Sequence, residues 1–459
     1  MLRGGTSSNL PSHPDPVVSL RSCRFSERKD RLIATPVVIS RDNHCISRVN
    51  ISQAALKVLY RLKDSGFHAC LVGGGVRDLL LGREPKDFDV ATDATPEQVK
   101  EVFRNSRMIG RRFRIVHVRF GREIIEVATF RAGHTEGSDE NLSESGMLLH
   151  DNVYGSIEED ALRRDFTVNA LYYDIRDFSV IDYADGMQDL EQGLLRLMGD
   201  PETRYREDPV RMLRAARFAA KLGFGIEDST RAPIEDLADL LADIPAARLF
   251  DEVLKLFLSG HAVASFEKLR QYGLFEKLFP DTESSLATQE HEFPHTLVLK
   301  GLENTDTRVA EGKPVTPAFL FAVLLWEPVR LRWLALQADE GLAPFTALQA
   351  ACTDILERQV ARVAIPRRFS TPMREIWTLQ SRFHHTKGKR PKRLADHPRF
   401  RAAYDFLLLR AESGEADPNL AQWWTDYQSD KPVAERADTE TKRPRKRRRR
   451  RRKPSGESA

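Results

Sequence analysis

One stretch constrains this chain more than any other. It runs Leu71-Val72-Gly73-Gly74-Gly75-Val76-Arg77-Asp78 and is closed by Lys86-Asp87-Phe88-Asp89-Val90. His68 to Val72 is a short, mostly apolar run that reads as a strand. The three glycines let the backbone turn tightly and come close to a ligand. Val76 to Leu81 reads as one or two helical turns, ended by Gly82. Pro85 breaks the chain before a second strand, which carries Asp87 and Asp89 at i and i+2, so both carboxylates project from one face. Two acids on one face repel unless something positive sits between them. A divalent metal resolves this, and two metals can drive an in-line displacement at phosphorus. The N–H groups of Gly73 and Gly74 and the guanidinium of Arg77 suit a triphosphate. Alone, a Gly-Gly-Gly turn is usually only a turn, and Asp-x-Asp is usually a solvated strand end. With Gly75 and Asp87 twelve positions apart, each strengthens the other.

The length of 459 residues suggests about three domains. With 41% hydrophobic and 30% charged residues, the chain can bury real cores. No apolar run is long enough for a membrane span. Cys23, Cys45, Cys70 and Cys352 show no pairing or metal spacing, which fits free thiols in a reducing cytoplasm. The net charge of +4 hides an asymmetry: between Lys442 and Lys453 eleven residues are Lys or Arg, and without them the remainder carries −7. The chain is an acidic body with a strongly cationic end.

Residues 1–35 are rich in Ser, Pro and Arg without an apolar period. Val17 to Leu20 is too short for a signal-peptide core, and Asp15, Glu27 and Asp30 argue against a transit peptide. A disordered arm, or a start codon set too far upstream, is the plainer reading. Ser52 caps a helix that runs to Gly66. Thr95-Pro96 starts another through Phe103. Ile115 to Phe120 and Glu123 to Phe130 form a hairpin about Gly121-Arg122. Glu126 lies inside the apolar stretch Ile124-Ile125-Glu126-Val127-Ala128, where an acid is costly unless paired or metal-bound. It is a candidate third carboxylate beside Asp87 and Asp89; ordinary strand alternation with Glu126 facing solvent is the alternative.

Gly133 to Gly146 reads as a polar loop. Ser156 to Leu171 reads as one helix with a Ser156/Glu159 capping box and the i,i+4 pairs Glu159–Arg163 and Asp160–Arg164. Arg163, Arg164, Asp165, Thr167 and Asn169 supply more polar groups than helix support requires. Tyr172 to Tyr183 reads as a last hairpin. From Leu190 onward the pattern is helical. Asp208 and Pro209 suit a helix start, with Arg211, Arg214 and Arg217 recurring on one side and Met212, Leu213, Ala216 and Ala220 on the other. Lys387 to Arg393 is a short basic turn, usually just solvated. His291-Glu292-Phe293-Pro294-His295 matches a zinc pattern, but Pro294 breaks the helix that pattern needs. After Val433 order should end. The run Lys442–Lys453 cannot fold alone and suits non-specific attraction to nucleic acid.

Taken together, Leu71–Asp78 with Asp87 and Asp89 resembles the nucleotidyltransferase superfamily that includes DNA polymerase beta. Arg164-Asp165-Phe166-Thr167-Val168-Asn169 and Glu207-Asp208-Pro209-Val210-Arg211 are similar to its class II branch, the bacterial poly(A) polymerases and tRNA CCA-adding enzymes. Three features resemble the poly(A) polymerases within it. These are Ile109-Gly110-Arg111-Arg112-Phe113-Arg114-Ile115-Val116-His117-Val118, the segments Pro245–Glu252 and Phe400–Asp405, and the Arg-rich end. The resemblance spans about residues 36–430.

The resemblance implies an α+β fold, a small mixed-sheet head followed by an all-helical neck, body and tail. It divides the chain into a disordered arm (1–35), a catalytic head (36–189), a base-reading neck (190–245), an RNA-binding body (246–430) and a disordered Arg-rich end (431–459). The implied activity is template-independent addition of AMP from ATP to RNA 3′ ends, releasing pyrophosphate, in mRNA processing and RNA turnover. The alternative is a tRNA CCA-adding enzyme; a remoter one is a non-catalytic RNA-binding adaptor. The implied catalytic residues are Asp87, Asp89 and Asp165. Asp87 and Asp89 would hold two Mg2+ ions, with Mn2+ as a substitute; Glu126 is the candidate third ligand from its strand position alone. Gly73, Gly74, Arg77, Arg164, Asp208, Arg211 and Arg214 would bind ATP. Asp208 and Arg211 would read the Watson–Crick edge, though adenine and cytosine both offer that donor–acceptor combination. The basic run Lys442–Lys453 would hold RNA. A cytoplasmic monomer acting with RNA-decay proteins completes the expectation.

Overall fold

The computed structural model describes residues 35–110, 114–132, 153–287 and 293–429. Its first part is an eight-stranded sheet. The strands are β1 (Val37–Ile39), β2 (Ala69–Val72), β3 (Asp89–Thr92), β4 (Ser106–Ile109), β5 (Ile115–Phe120), β6 (Glu123–Thr129), β7 (Leu171–Asp174) and β8 (Val180–Asp182). They lie in the order β1-β8-β7-β2-β3-β6-β5-β4. Only the β3–β6 pair is parallel; the other neighbours are antiparallel. β2 and β7 are buried along their whole length, which is why they lack polar alternation.

Register places one row of residues across the whole sheet, Val38-Ile181-Tyr172-Val72-Asp89-Glu126-His117-Arg107. Directly opposed residues share a face. The row is apolar from Val38 to Val72 and charged or polar from Asp89 onward. Cys70, Val72, Ala91, Phe130, Ala161, Tyr172, Ile181 and Tyr183 form a small apolar cluster on this face. The opposite face joins the main core through Leu71, Val90, Val116 and Val127, beneath α1 (Gln53–Asp64), which Ser52 caps as expected.

The turn after β2 differs from expectation in one respect. Gly73 has φ +70°, but Gly74 and Gly75 already belong to α2 (Gly74–Leu80). Asp87 likewise precedes β3, in an exposed connecting segment, so only Asp89 is a strand residue. α3 (Pro96–Val102) carries the capping box of Thr95 and Gln98.

The expected helix from Ser156 to Leu171 is not continuous. Ser156 and Glu159 form the capping box and start α4, but α4 (Ile157–Arg163) stops before Arg164. The backbone then pairs sideways: Met198 donates to Asp165 O at 2.9 Å and Thr167 to Arg196 O at 3.0 Å. The Asp165 carboxylate accepts from Phe166 N at 2.9 Å, a local bond that competes with helix. A single 3-10 turn, Thr167–Asn169, leads into β7.

After β8 come α5 (Gly186–Gln192), α6 (Pro201–Glu207) and α7 (Val210–Leu222), with a short parallel pair, β9 (Leu194–Leu195) and β10 (Gly225–Ile226), tying the ends of this segment together. Asp208 ends α6 rather than starting α7, and Pro209 caps α7. Everything described beyond residue 228 is helical or connecting. No described helix is long and apolar enough to cross a membrane.

Candidate active site

The apolar and charged halves of this row meet at Asp89. Burial, then the charges of Glu126 and Asp87, push its carboxyl up to about 6 against the opposing pull of Arg164. Such crowding of acids is relieved by a cation, and an all-carboxylate donor set suits a hard divalent ion. Glu126 is Asp89's in-register neighbour, and His117 Nε2 lies 3.0 Å from its Oε1. The strand register places Glu126 beside Asp89, but its side chain faces solvent by ordinary alternation, and the carboxylates of Asp87, Asp89 and Glu126 do not gather their oxygens within reach of one ion. His117 was not singled out, because a histidine in an alternating strand carries no signal of its own.

The glycine turn packs against two arginines. A Cβ at Gly73 would lie 3.4 Å from Arg164 Nη1, and one at Gly74 would lie 3.4 Å from Arg77 Nη2. Arg77 is buried. Its Nε and Nη2 donate to Asp78 Oδ1 at 2.9 and 2.6 Å, and Nη1 donates to Asn169 Oδ1 at 2.6 Å. Arg164 is clamped from behind: Nε donates to the Tyr172 hydroxyl at 2.8 Å and Nη2 to Asp160 Oδ2 at 3.0 Å. The Tyr172 hydroxyl donates to the same Asp160 oxygen at 2.7 Å. Burial would raise the Asp160 carboxyl, but Arg164, Arg131 and the Tyr172 hydroxyl together hold it below its ordinary value. Asp160 was read only as helix support and Tyr172 not at all: the one sits at ordinary i−4 spacing, and the other lies in an apolar run.

Asp165 faces the helices. Its Oδ2 accepts from Arg214 Nε at 2.8 Å and also from Arg214 Nη2, and its Oδ1 accepts from Asn169 Nδ2 at 3.1 Å. Burial opposes ionisation, but the Arg214 guanidinium and these bonds hold the carboxyl far below the usual range. Arg77, Arg214 and Arg217 all lie over the ring of Phe218, at 5.3, 5.4 and 4.4 Å from its centroid. Burial and the neighbouring Arg214 push Arg217 down to about 10. Three guanidiniums around one ring are an arrangement that an anion would relieve.

The break between α6 and α7 carries the two expected base-reading residues. Asp208 Oδ2 accepts from Arg248 Nη2 at 2.7 Å, and Arg211 Nη1 donates to Glu207 Oε2 at 3.0 Å and to Arg204 O at 2.6 Å. Arg248 belongs to the segment Pro245–Glu252, noticed only for its resemblance. Arg111, Arg112, Phe113, the loop 133–146, His291, Glu292 and the run Lys442–Lys453 lie outside the described residues.

Among the described residues, one group of His, Cys, Asp and Glu brings its donor atoms within metal reach, His68, Cys70 and Asp174. It lies on the Cys70 end of β2, away from the glycine turn. Arg176 Nη2 already holds Asp174 at 2.6 Å, and burial and Asp174 push the Cys70 thiol well up. A protonated thiol and an Arg-bound carboxylate read as a buried hydrogen-bonded network.

Three family models match along the chain: "Poly A polymerase head domain" over residues 69–196, "Probable RNA and SrmB- binding site of polymerase A" over 223–286, and "Polymerase A arginine-rich C-terminus" over 340–455. Poly(A) polymerase I of Salmonella typhi is 50% identical over 422 residues, 90% of each chain. A CCA-adding enzyme of Lactobacillus helveticus is 40% identical, but over 213 residues, 46% of this chain and 52% of that one. Among solved structures, the CCA-adding enzyme of Bacillus stearothermophilus in complex with CTP matches with a TM-score of 0.53 and 26% identity, over 82% of this chain and 81% of that chain. The sheet and the helices behind it are thus shared with CCA-adding enzymes, whereas the match that runs almost end to end is to a poly(A) polymerase. On that match, and on three models falling in order from the sheet to the basic end, this chain belongs to the bacterial poly(A) polymerase family.

Proposed function

We propose that this chain adds AMP from ATP to RNA 3′ ends without a template, releasing pyrophosphate. The observation that carries the proposal is that Asp89, Glu126 and the Gly73 turn lie side by side on the adjacent central strands β2, β3 and β6, in a chain of this family. Asp87 and Asp89 would hold the divalent metal, Mg2+ or Mn2+; the crowded acids and the raised Asp89 carboxyl fit such a guest. When bound, the metal supplies charge neutralisation and a more acidic 3′ hydroxyl.

The chain's own residues do the rest. Arg164 directs Nη1 toward the Gly73 turn, where the triphosphate would lie, and Arg77 supports that turn at Gly74. Asp165 stays ionised and fixes Arg214. Asp208 and Arg211, at the open ends of their ion pairs, would meet the base edge. We assign residues 36–189 to the catalytic head, 190–245 to the base-reading neck and 246–430 to an RNA-binding body, with arms at 1–35 and 431–459. Within this reading the enzyme acts in the cytoplasm as a monomer on mRNA and decay intermediates, beside RNA-decay proteins. Thiols without disulfides at Cys45, Cys70 and Cys352 support a reducing compartment.

A CCA-adding reaction is the second reading, favoured by the partial match to such enzymes and by a base-reading pair that adenine and cytosine both satisfy. Incubation with a generic RNA and either ATP or CTP separates the two. Long A tails on RNA other than tRNA support the proposal, and CTP-dependent addition confined to tRNA overturns it. Asp89→Ala should abolish incorporation and leave RNA binding nearly unchanged, which also separates an enzyme from an adaptor.

A further inference from the structure

The basic turn set aside as solvated in the sequence has a different standing in the folded chain. Gly388, with φ +70°, turns the backbone into a short helix, Arg390–Ala395. Pro391 and Leu394 point inward, one helical turn apart, and both are buried. Leu394 joins Leu379, Phe383, Phe400, Ala403, Tyr404, Leu407 and Trp424 in an apolar cluster of its own, and Trp424 Nε1 donates to Phe383 O at 2.9 Å. With Pro391 and Leu394 fixed, Lys389, Arg390, Lys392 and Arg393 must face solvent, and all four are exposed.

Arg382 and Lys387 flank them, also exposed. None of these six cations forms an ion pair among the described residues, whereas nearby Arg399 and Arg401 are paired with Glu375 and Asp405. Between Arg382 and Arg401 there are eight Lys or Arg and one acid, Asp396, a charge of +7. A body that is otherwise acidic thus carries one dense positive island on a rigid, separately packed support. Like charges this close repel, and the arrangement is relieved by a polyanion rather than by any carboxylate of the chain.

We propose that this island is an RNA-backbone track, distinct from the run Lys442–Lys453, which holds the strand behind the 3′ end by its phosphates and without regard to sequence. The inference rests on RNA being the acceptor, as proposed above. It differs from a general basic tail in that its cations are held in place by Pro391, Leu394 and the Trp424 cluster. The track therefore contributes only for RNA long enough to reach it from the active site, whereas contacts at the active site serve every acceptor.

The test replaces four cations together, Lys389→Glu, Arg390→Glu, Lys392→Glu and Arg393→Glu, in the full-length protein. A second protein carries the same change with the cations of Lys442–Lys453 replaced by serine, so that the tail cannot mask the effect. RNA affinity is measured against salt with a long oligo(A), and AMP incorporation is measured on the same RNA and on a very short primer. Each single-strand phosphate contact contributes about 0.7 to the log–log salt slope, so loss of four should flatten it by roughly 3. KM for the long RNA should rise more than about tenfold, as expected when several phosphate contacts are lost, while turnover on the short primer and the melting temperature stay as in the parent. Reversing four scattered exposed lysines, Lys57, Lys63, Lys100 and Lys313, should leave the slope close to that of the parent. An unchanged slope in the tail-neutral protein, or an equal loss from the scattered set, overturns the track. If neither parent nor variant extends RNA, the fault lies with the function proposed above; binding, read separately, still decides the track.

Discussion

The clamp behind Arg164 can be tested through the hydroxyl of Tyr172. That oxygen accepts from Arg164 Nε at 2.8 Å and donates to Asp160 Oδ2 at 2.7 Å, with Tyr172 and Asp160 buried and Arg164 partly exposed. Tyr172→Phe removes both bonds while leaving the ring, over which the guanidinium lies at 5.0 Å. A hydrogen bond to a charged partner contributes about 1.5–3 kcal/mol, and the buried Asp160 left behind cannot turn to solvent. If Arg164 grips the triphosphate, that loss reaches catalysis as well as folding. At about 1.4 kcal/mol per factor of ten, kcat/KM for ATP should fall roughly 10- to 100-fold. Most of it should appear in KM, because a loosened Arg164 weakens ground-state and transition-state binding alike. The assay is steady-state AMP incorporation at saturating RNA, with thermal melting alongside. Tyr183→Phe is the control: its ring meets Tyr172 edge-on at 6.2 Å, but its hydroxyl makes no hydrogen bond among the described residues. A Tyr172→Phe enzyme that melts lower yet keeps KM for ATP within about twofold of the parent would refute the reasoning, since the clamp would then serve the fold alone.

Two further outcomes follow from the same region. Gly73→Ala places a side chain at φ +70°, ψ −138°, at a cost of about 1–3 kcal/mol, and puts a Cβ 3.4 Å from Arg164 Nη1; both melting temperature and ATP affinity should drop, and unchanged ATP affinity would remove Gly73 from the binding surface. Asp165 is ionised in the fold at a pKa far below its ordinary value, so its stabilisation is present above about pH 4 and is lost as acid carries the pH down toward the folded value. The gap in stability between the parent and Asp165→Asn should accordingly be widest near neutrality and narrow steadily below about pH 4; a gap independent of pH would show that the Arg214 charge pair is not its source.

What the sequence disclosed depended on whether a signal was local. The hairpin of β5 and β6 follows from alternation about Gly121-Arg122, and the caps at Ser52, Thr95 and Ser156 from residues within three positions of each other. Glu126 draws suspicion through the cost of an acid in an apolar strand, but alternation turns it to solvent between buried Ile125 and Val127, and its place beside Asp89 comes from a parallel register that no local pattern encodes. The helix expected to run from Ser156 to Leu171 failed for a related reason. Its periodicity is helical, and what breaks it is pairing with Arg196–Met198, some thirty positions away. Asp160 and Tyr172 are invisible for the same cause: they become a clamp only when β7 enters the sheet beside β2. The basic turn at Lys387–Arg393 was legible as charge but not as a surface, because its rigidity comes from Phe383, Phe400 and Trp424, spread over forty residues.

The broken helix is also what ties the two halves of the molecule together. Arg204 Nη2, on α6, donates to Arg163 O at 2.9 Å and to Arg164 O at 3.0 Å, both freed because the helix stops there. Arg214, on α7, holds the next side chain, Asp165. Tyr172, on the sheet, holds the side chain between them. Three consecutive residues are therefore fixed by three different elements, and the peptide of Arg164 cannot shift without disturbing all of them. Asp208 and Arg211 sit on the same α6–α7 break, with Arg211 bonded to the carbonyl of Arg204 itself. A base that fits Asp208 and Arg211 poorly would thus strain Arg204, and through it the grip of Arg164 at the glycine turn. On the roles proposed for these residues, discrimination at the base and retention of the triphosphate would be one event, and a wrong nucleotide would be penalised at both ends of the site; weakening the Arg204 link should then lower ATP affinity and ATP-over-CTP selectivity together.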